Sequence, residues 1–208
     1  MPAAREDLAV SAVRLAPRLL GAVVTSRIGG ADVAIRLTEV EAYAGPEDPA
    51  SHAYRGWTPR TAVMFGPAGH VYTYFTYGMH WCANVVCGPD GQAAAVLLRA
   101  GEVIGGEPAA RRRRPAARTV RDLARGPARL ATCLGLDAAS NGVDLCDPAS
   151  PVVLDGVAGR RPRGVRAGPR VGIAVATERL WRFWLDGEQS VSAFRAGRRD
   201  PVAQDRQT

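Results

Sequence analysis

The stretch AVVTSRIGGADVAIRLTEVEAY, residues 22–43, constrains the fold most, because it predicts a β-hairpin. Two runs rich in β-branched residues flank Gly29 and Gly30, the residue type that a tight hairpin turn favours. Side chains alternate along a strand, so Glu39, Glu41 and Tyr43 share one face of the second run. The sequence therefore predicts an antiparallel pair with two carboxylates near one end of its longer strand.

A second hairpin is predicted over residues 71–86, VYTYFTYGMHWCANVV, with its turn near Gly78. Tyr77 lies at the tip of this hairpin. An exposed tyrosine there is unfavourable unless it packs on something, either a nucleic-acid base or its own protein. Two further rings of this hairpin are assigned to the core: Phe75 and Trp81.

These hairpins, a buried strand in QAAAVLLRAGE and two helical patterns predict an α+β fold. The helical patterns are SAVRLAPRLLG and RRRRPAARTVRDLARGPARLATCLG, the second on both sides of Gly126-Pro127. We expect 208 residues to form one mixed domain. Its mostly antiparallel sheet is predicted to be curved, partly open and barrel-like, with flanking helices. Segments 105–116 and 147–169 are predicted to be flexible loops, and the C-terminus a short disordered tail.

The charge of the chain favours a polyanionic partner. The net charge is +7 and the isoelectric point is near 9.9, which points to nucleic acid first and a membrane surface second. All 27 basic residues are arginine; a GC-rich genome explains that choice but not the basic excess. We expect the region that holds arginines 118, 121, 125 and 129 to add electrostatic affinity, although a solvated face explains any one of them.

Several classes of protein are disfavoured by what the sequence lacks. No side-chain amine exists for a Schiff base, because the chain has no lysine. The cysteine spacing fits neither a zinc site nor a disulfide framework, so we expect reduced thiols and no metal or cofactor. No export signal or long apolar run is present, so we expect a cytoplasmic protein without membrane association. The cysteines are Cys82, Cys87, Cys133 and Cys146.

Aromatic residues concentrate in one segment that lacks acidic side chains. Nine of the thirteen aromatics and all three histidines lie between residues 43 and 81, and no Asp or Glu occurs from Pro49 to Pro89. Such a segment can approach phosphates without like-charge repulsion. The alternative is an aromatic minicore beneath a loop.

Glu41 stands beside this aromatic segment, where partial burial favours an acid/base role. For Glu39 we prefer a solvated strand end. Arg99 follows the apolar residues of AAAVLLRA, so its stem must be covered and its charge needs a carboxylate or several carbonyl groups. Close to Glu41 it would keep that carboxylate ionised and help to hold a water, although a purely structural ion pair is the alternative.

Five stretches resemble, in order and spacing, the alkyladenine (3-methyladenine) DNA glycosylase family. They are TEVEAYAGPEDPASH, MFGPAGHVYTYFTYGMHWCAN, AVLLRA, GPARL and RVGI, and the resemblance spans nearly the whole chain. It implies that Glu41 is the general base for a water that Arg99 and the backbone carbonyl of Val171 position. The one departure puts Val40 before the base where threonine is common; Val40 points away from the face of Glu41, so we expect little consequence.

The resemblance also implies a pocket for an extruded base. Asn84 resembles the residue that excludes guanine's amino group, and Tyr77 the side chain that enters the vacated stack. The pocket walls are implied to be aromatic: Tyr43, His52 and Tyr74, with Tyr72 beside them.

The function that this resemblance implies is base-excision repair. The enzyme would flip alkylated or deaminated purines out of duplex DNA and hydrolyse the N-glycosidic bond, leaving an abasic site. We expect a monomer, without lyase activity, that associates with the nucleoid. Two alternatives remain open: a non-catalytic sensor of damaged or distorted DNA, and an enzyme acting on RNA or nucleosides.

Overall fold

A computed structural model describes residues 1–157, 159 and 162–197. Over these residues the chain is a single α+β domain with one open sheet whose strand pairs are all antiparallel, which confirms the predicted fold class. The helices are α1 (Arg5–Leu8), α2 (Ala12–Leu19), α3 (Glu107–Arg113) and α4 (Pro127–Leu134). The strands are β1 (Val23–Ser26), β2 (Val33–Tyr43), β3 (Val71–Thr76), β4 (His80–Val86), β5 (Ala95–Gly105), β6 (Val152–Asp155), β7 (Val165–Gly168) and β8 (Arg182–Leu185).

Strand β2 is the centre of the sheet. The strand order is β3-β4-β5-β2-β1-β6, and β2 pairs with β5 along most of its length. Its other edge pairs first with β1, through residues 33–36, and then with β8, through residues 39–41. The sheet therefore branches at β2, and the end of β2 that carries both glutamates has a neighbouring strand on each side.

Both predicted hairpins are present. Gly29 and Gly30 have φ angles of 70° and 72° in the turn between β1 and β2. In the second hairpin Thr76 pairs with His80, so the turn lies at residues 77–79. The turn near Gly78 is confirmed.

The core forms where helices cover this sheet. Helix α2 packs against β2 and β5, and α4 packs against β4 and β5. Their leucines, at helical spacing, are fully buried: Leu15 and Leu19 on α2, and Leu130 and Leu134 on α4. Burial of these apolar faces fixes α4 over the same strands that carry the candidate site.

The two segments predicted as loops contain regular structure, so those predictions are wrong in that respect. Residues 105–116 contain α3, because Pro108 in the first turn is compatible with a helix start. Arg113 then ties α3 to the carbonyl groups of Ile28 and Cys133. Residues 147–169 contain β6, whose buried valines pair with β1, and β7. The predicted C-terminal tail, residues 198–208, lies outside the described residues.

The arginines at 118, 121 and 125 do not lie on one helix. Residues 114–126 contain one short 3-10 turn, Val120–Asp122, before α4 begins at Pro127. The arginines recur every three or four residues, as on one side of a helix, but Pro115, Gly126 and Pro127 interrupt that helix.

Candidate active site

Glu39 is fully buried at the branch point of the sheet, so its assignment to a solvated strand end is wrong. Oε1 accepts hydrogen bonds from Arg99 Nε at 2.8 Å and Arg182 Nε at 2.7 Å. Oε2 accepts one from the N–H of Ser192 at 2.7 Å. Burial alone would raise the pKa of Glu39, but the two guanidinium groups and the Ser192 N–H outweigh it and lower that pKa.

Glu41 is equally buried but less well compensated. Oε1 accepts a hydrogen bond from the Val171 N–H at 2.7 Å, and Oε2 accepts one from the Tyr43 hydroxyl at 2.9 Å. Burial raises the pKa of Glu41 above its ordinary value, against the opposing effects of Arg99 and these hydrogen bonds. The pKa values of the two carboxylates therefore move in opposite directions, as expected of an ionised support beside a proton acceptor.

Arg99 connects the two carboxylates. Its Nε binds Glu39, and its Nη1 lies 3.4 Å from Glu41 Oε1. The expected contact between Arg99 and Glu41 is present, but the closer ion pair is with Glu39. Glu39 thus holds Arg99 in place beside Glu41.

A cavity of about 450 Å³ opens in front of this cluster, a volume in the range of small-ligand sites. All three groups that contact Glu41 line it, and Glu41 lies directly behind them with no exposed surface. The other predicted site residues also line this one cavity. They are His52, Tyr72, Tyr74, Tyr77 and Asn84.

The aromatic rings of the cavity have fixed relative positions. The rings of His52 and Tyr74 meet edge to face with centroids 4.5 Å apart. Two stacking contacts need about 7 Å between the outer rings, so no third ring fits between this pair. On Tyr43, the guanidinium of Arg170 covers one face at 4.6 Å from the centroid. A planar ligand therefore cannot lie between the rings of His52 and Tyr74, nor on the face of Tyr43 that Arg170 covers.

His52 is held as a neutral imidazole. Its Nδ1 lies 3.1 Å from the Tyr72 hydroxyl, which sets the ring orientation, while the ring lines the cavity. The residue is exposed to solvent at the cavity, but desolvation by the surrounding protein and the nearby charge of Arg60 lower the pKa of His52 to about 4. The aromatic wall is thus uncharged at neutral pH.

Asn84 is fixed by its own strand pair. Its Nδ2 donates to the carbonyl of Tyr72 at 3.0 Å, across the β3–β4 ladder, and the residue is buried against the cavity. Asn84 is thus a rigidly held part of the cavity lining.

Tyr77 projects from the hairpin tip and is 83% exposed. Its φ of 51° is uncommon for a residue other than glycine and costs on the order of 1 kcal/mol. The adjacent Phe75 is half exposed and touches Trp81 with ring centroids 5.1 Å apart, so its assignment to the core is wrong. Among the strands of the described residues, β3 is the last in the sheet order, so no neighbouring strand flanks its outer edge.

A second buried ion pair, which the sequence reasoning missed, holds two walls of the cavity together. Arg170 donates to both carboxylate oxygens of Asp48, at 2.5 and 2.8 Å, and to the carbonyl of Ala42. Both side chains are fully buried. Asp48 fixes the loop that carries His52, and Arg170 precedes Val171. The sequence signal for this pair is weak: Asp48 lies between Pro46 and Pro49, in a stretch typical of an exposed turn.

Among the residues that the structure describes, no group of three metal-ligating side chains occurs. Within the same residues no helix is long and apolar enough to cross a membrane.

Comparison with known proteins gives one consistent result. The family model described as methylpurine-DNA glycosylase matches residues 6–189. A Streptomyces avermitilis protein is 52% identical, covering 94% of this chain and 92% of that protein, and one from Frankia casuarinae is 54% identical, covering 89% of both. A Mycobacterium tuberculosis protein is 50% identical, covering 95% of this chain and 96% of that protein. All three carry the name "Putative 3-methyladenine DNA glycosylase".

Substitution Asp48→Ala is expected to lower the free energy of unfolding by about 3–5 kcal/mol, because it leaves the Arg170 charge buried without its carboxylate. Urea denaturation measures the loss. Asp186→Ala is the control: its pair with Arg166 is more than half exposed, so about 1 kcal/mol or less is expected. Equal losses for the two variants would contradict a structural role for the buried pair.

Proposed function

The chain belongs to the methylpurine-DNA glycosylase family, and we propose that it repairs DNA by extruding alkylated or deaminated purines from the duplex and hydrolysing their N-glycosidic bonds. The observation that carries this proposal is the placement of Glu41. A buried carboxylate with a raised pKa lies behind an aromatic cavity, and each group that contacts it also lines that cavity. This is the arrangement that base-activated attack on a flipped nucleotide requires.

Extrusion of the base is the first step. It costs a few kcal/mol of pairing and stacking, and less where a lesion already pairs poorly. Tyr77 sits at the cavity mouth on an exposed tip, so its ring can fill the gap that the extruded base leaves. The positive φ of Tyr77 means that this exposed tip carries some backbone strain.

The extruded base is then proposed to enter the cavity and to lie between Tyr43 and the His52–Tyr74 pair, all of which line it. An alkylated purine such as 3-methyladenine is cationic, and aromatic faces attract such a ring by about 1 kcal/mol or more when water is excluded. Because His52 is neutral, it adds no repulsion. Asn84 meets the edge of the ring, where it would oppose the exocyclic amino group of guanine.

Hydrolysis follows with Glu41 as the base. The oxygen of a water attacks the sugar carbon, and the water's proton passes to Glu41. The carbon–nitrogen bond breaks, and its electron pair leaves with the purine. Arg99 and the backbone carbonyl of Val171 are proposed to hold the water, and the negative charge of Glu41 before it takes the proton favours the positive charge that develops on the sugar.

The pH dependence of this mechanism has a definite sign. Glu41 accepts a proton only when ionised, and its pKa lies above the ordinary value for a glutamate. The rate should therefore fall as the pH decreases through that raised pKa. His52 is expected to gain its proton at lower pH than Glu41, because the pKa of His52 is lowered to about 4 whereas that of Glu41 is raised.

Substitution Glu41→Gln is expected to reduce the single-turnover rate of base release by about 100-fold or more, because the amide cannot accept the proton. The assay uses duplexes that each contain one alkylated purine. Glu102→Gln, at an exposed ion pair with Arg36, is the control and should keep the wild-type rate. An unchanged rate for Glu41→Gln would remove Glu41 as the base; a wild type that binds lesion duplexes but releases no base would instead indicate a damage sensor.

Substitution Tyr77→Ser is expected to weaken binding to a lesion duplex by roughly 10-fold, since one base–aromatic stack contributes about 1–3 kcal/mol. Fluorescence anisotropy measures the affinity, and thermal unfolding checks that the fold is intact. Tyr77→Phe keeps the ring and should retain wild-type affinity. Equal binding by the serine variant, or equal activity on free nucleosides, would argue against insertion into a duplex.

We also expect no lyase activity. The chain has no lysine, so no side-chain amine can attack the sugar. The α-amino group of Met1 pairs with Asp155 on β6. In the strand order, β6 and the cavity-lining hairpin β3–β4 lie on opposite sides of β2. Incubation with abasic duplex and borohydride should therefore give no covalent adduct. A lysine-dependent lyase treated in parallel shows that the trap works, and an adduct with this protein would contradict the proposal.

A further inference from the structure

We propose that Ser192 is a positioning residue that holds Arg99 at the angle from which its guanidinium reaches Glu41. Ser192 lies outside the residues matched by the family model and is not a group that contacts the reacting atoms. The inference rests on the proposed glycosylase function, since it concerns the geometry of the same water-activating cluster.

Ser192 contacts every charged member of the cluster except Glu41. Its Oγ donates to Glu39 Oε1 at 2.9 Å and accepts from Arg99 Nη2 at 3.2 Å. Its N–H donates to the other oxygen of Glu39, and its carbonyl accepts from Arg182 Nη2 at 2.8 Å. One residue thus joins both arginines to Glu39 through four hydrogen bonds.

The guanidinium of Arg99 is held at two points away from Glu41. Nε is fixed by Glu39 and Nη2 by the Ser192 hydroxyl, which leaves Nη1 as the group 3.4 Å from Glu41. With one of these points removed, the planar group can turn about its remaining bond to Glu39. Ser192 therefore sets where Nη1 lies, and with it the charge that Glu41 experiences.

The segment that carries Ser192 is anchored on both sides of the site. Ser190 Oγ lies 2.8 Å from Thr38 Oγ1, which ties the segment to β2. The N–H of Gly172 donates to the carbonyl of Arg195 at 2.9 Å, which ties it to the stretch that binds Glu41 through Val171. Gly197 approaches the carbonyl of Ile173 so closely that a Cβ would collide with it. Residues 190–197 thus connect the Glu39 side of the cluster to the Val171 side.

A shift in the pH profile distinguishes positioning from simple stabilisation. Arg99 is the largest influence that lowers the pKa of Glu41 against burial. A displaced Arg99 would lower it less, so the acid limb of the rate would move to higher pH. The substitution also removes the hydroxyl bond to Glu39 on β2, which keeps its bonds to the Ser192 N–H, Arg99 and Arg182. The remaining titratable groups near Glu41 have no contact with the Ser192 hydroxyl: Tyr43 on β2, Tyr74 on β3, Arg182 on β8, and Arg170 in the segment before Val171.

The test compares Ser192→Ala with Ser190→Ala in single-turnover base release from a duplex with one alkylated purine. Both serines lie in the same segment. Ser190→Ala removes the hydroxyl contact with Thr38, whereas Ser192→Ala removes the hydroxyl contacts with Glu39 and Arg99. We expect Ser192→Ala to slow release by about 10-fold and to move the acid limb to higher pH. Ser190→Ala loses one anchor of the segment but no contact with Arg99, so it should lower the melting temperature while the acid limb stays at the wild-type pH. Ser192→Thr, which retains the hydroxyl, should restore the wild-type rate and limb.

The outcomes separate this inference from the proposed function. If the wild type releases no base, the proposed function fails and the inference fails with it. If the wild type is active and Ser192→Ala matches it in rate and acid limb, the positioning role alone is overturned. A slower Ser192→Ala whose acid limb is unmoved, with melting temperatures lowered equally in both alanine variants, also overturns it, because that result indicates a structural hydroxyl.

Discussion

The buried ion pairs of Glu39 with Arg99 and Arg182 are the interaction on which the rest of the site depends. Taking these charges out of water is unfavourable, and only close, multiply hydrogen-bonded geometry offsets that cost. The branched sheet supplies this geometry because β2 is flanked by β5 on one edge and β8 on the other. Arg99 comes from the first neighbour and Arg182 from the second, so the ion pairs form only when all three strands are paired.

This arrangement leaves Glu41 distinct from its neighbour. Glu39 takes most of the positive charge and has a lowered pKa, whereas Glu41 shares Arg99 at a longer distance and has a raised one. Two glutamates on one strand thus acquire different chemistry from their surroundings. The Asp48–Arg170 pair applies the same physics on the other side of the cavity, where it fixes the loop of His52 to the segment of Val171.

Much of the fold and of the candidate site was accessible from sequence patterns. Glycines in tight turns predicted both hairpins, and alternation along β2 placed Glu39, Glu41 and Tyr43 at one strand end. The predicted pocket residues line one cavity in the structure, although their roles remain proposals. Local patterns gave wrong predictions where tertiary contacts outweigh local composition. Helix α3 forms in an arginine-rich stretch because Arg113 binds distant carbonyl groups. Glu39 is buried because β8 and Ser192 cover it.

The sequence by itself determined the two hairpins with their turns, the buried strand that carries Arg99, the lack of a side-chain amine and the family resemblance, since each depends on neighbouring residues or on residue type. Only the tertiary structure decided which arginines are buried in ion pairs and which remain at the surface. Arg99, Arg170 and Arg182 add to the net charge of +7, yet all three are buried against carboxylates. Their partners lie 60 to 143 positions away, and no local pattern records a separation of that size. The contrast in pKa between Glu39 and Glu41 has the same origin, because it follows from what covers each carboxylate.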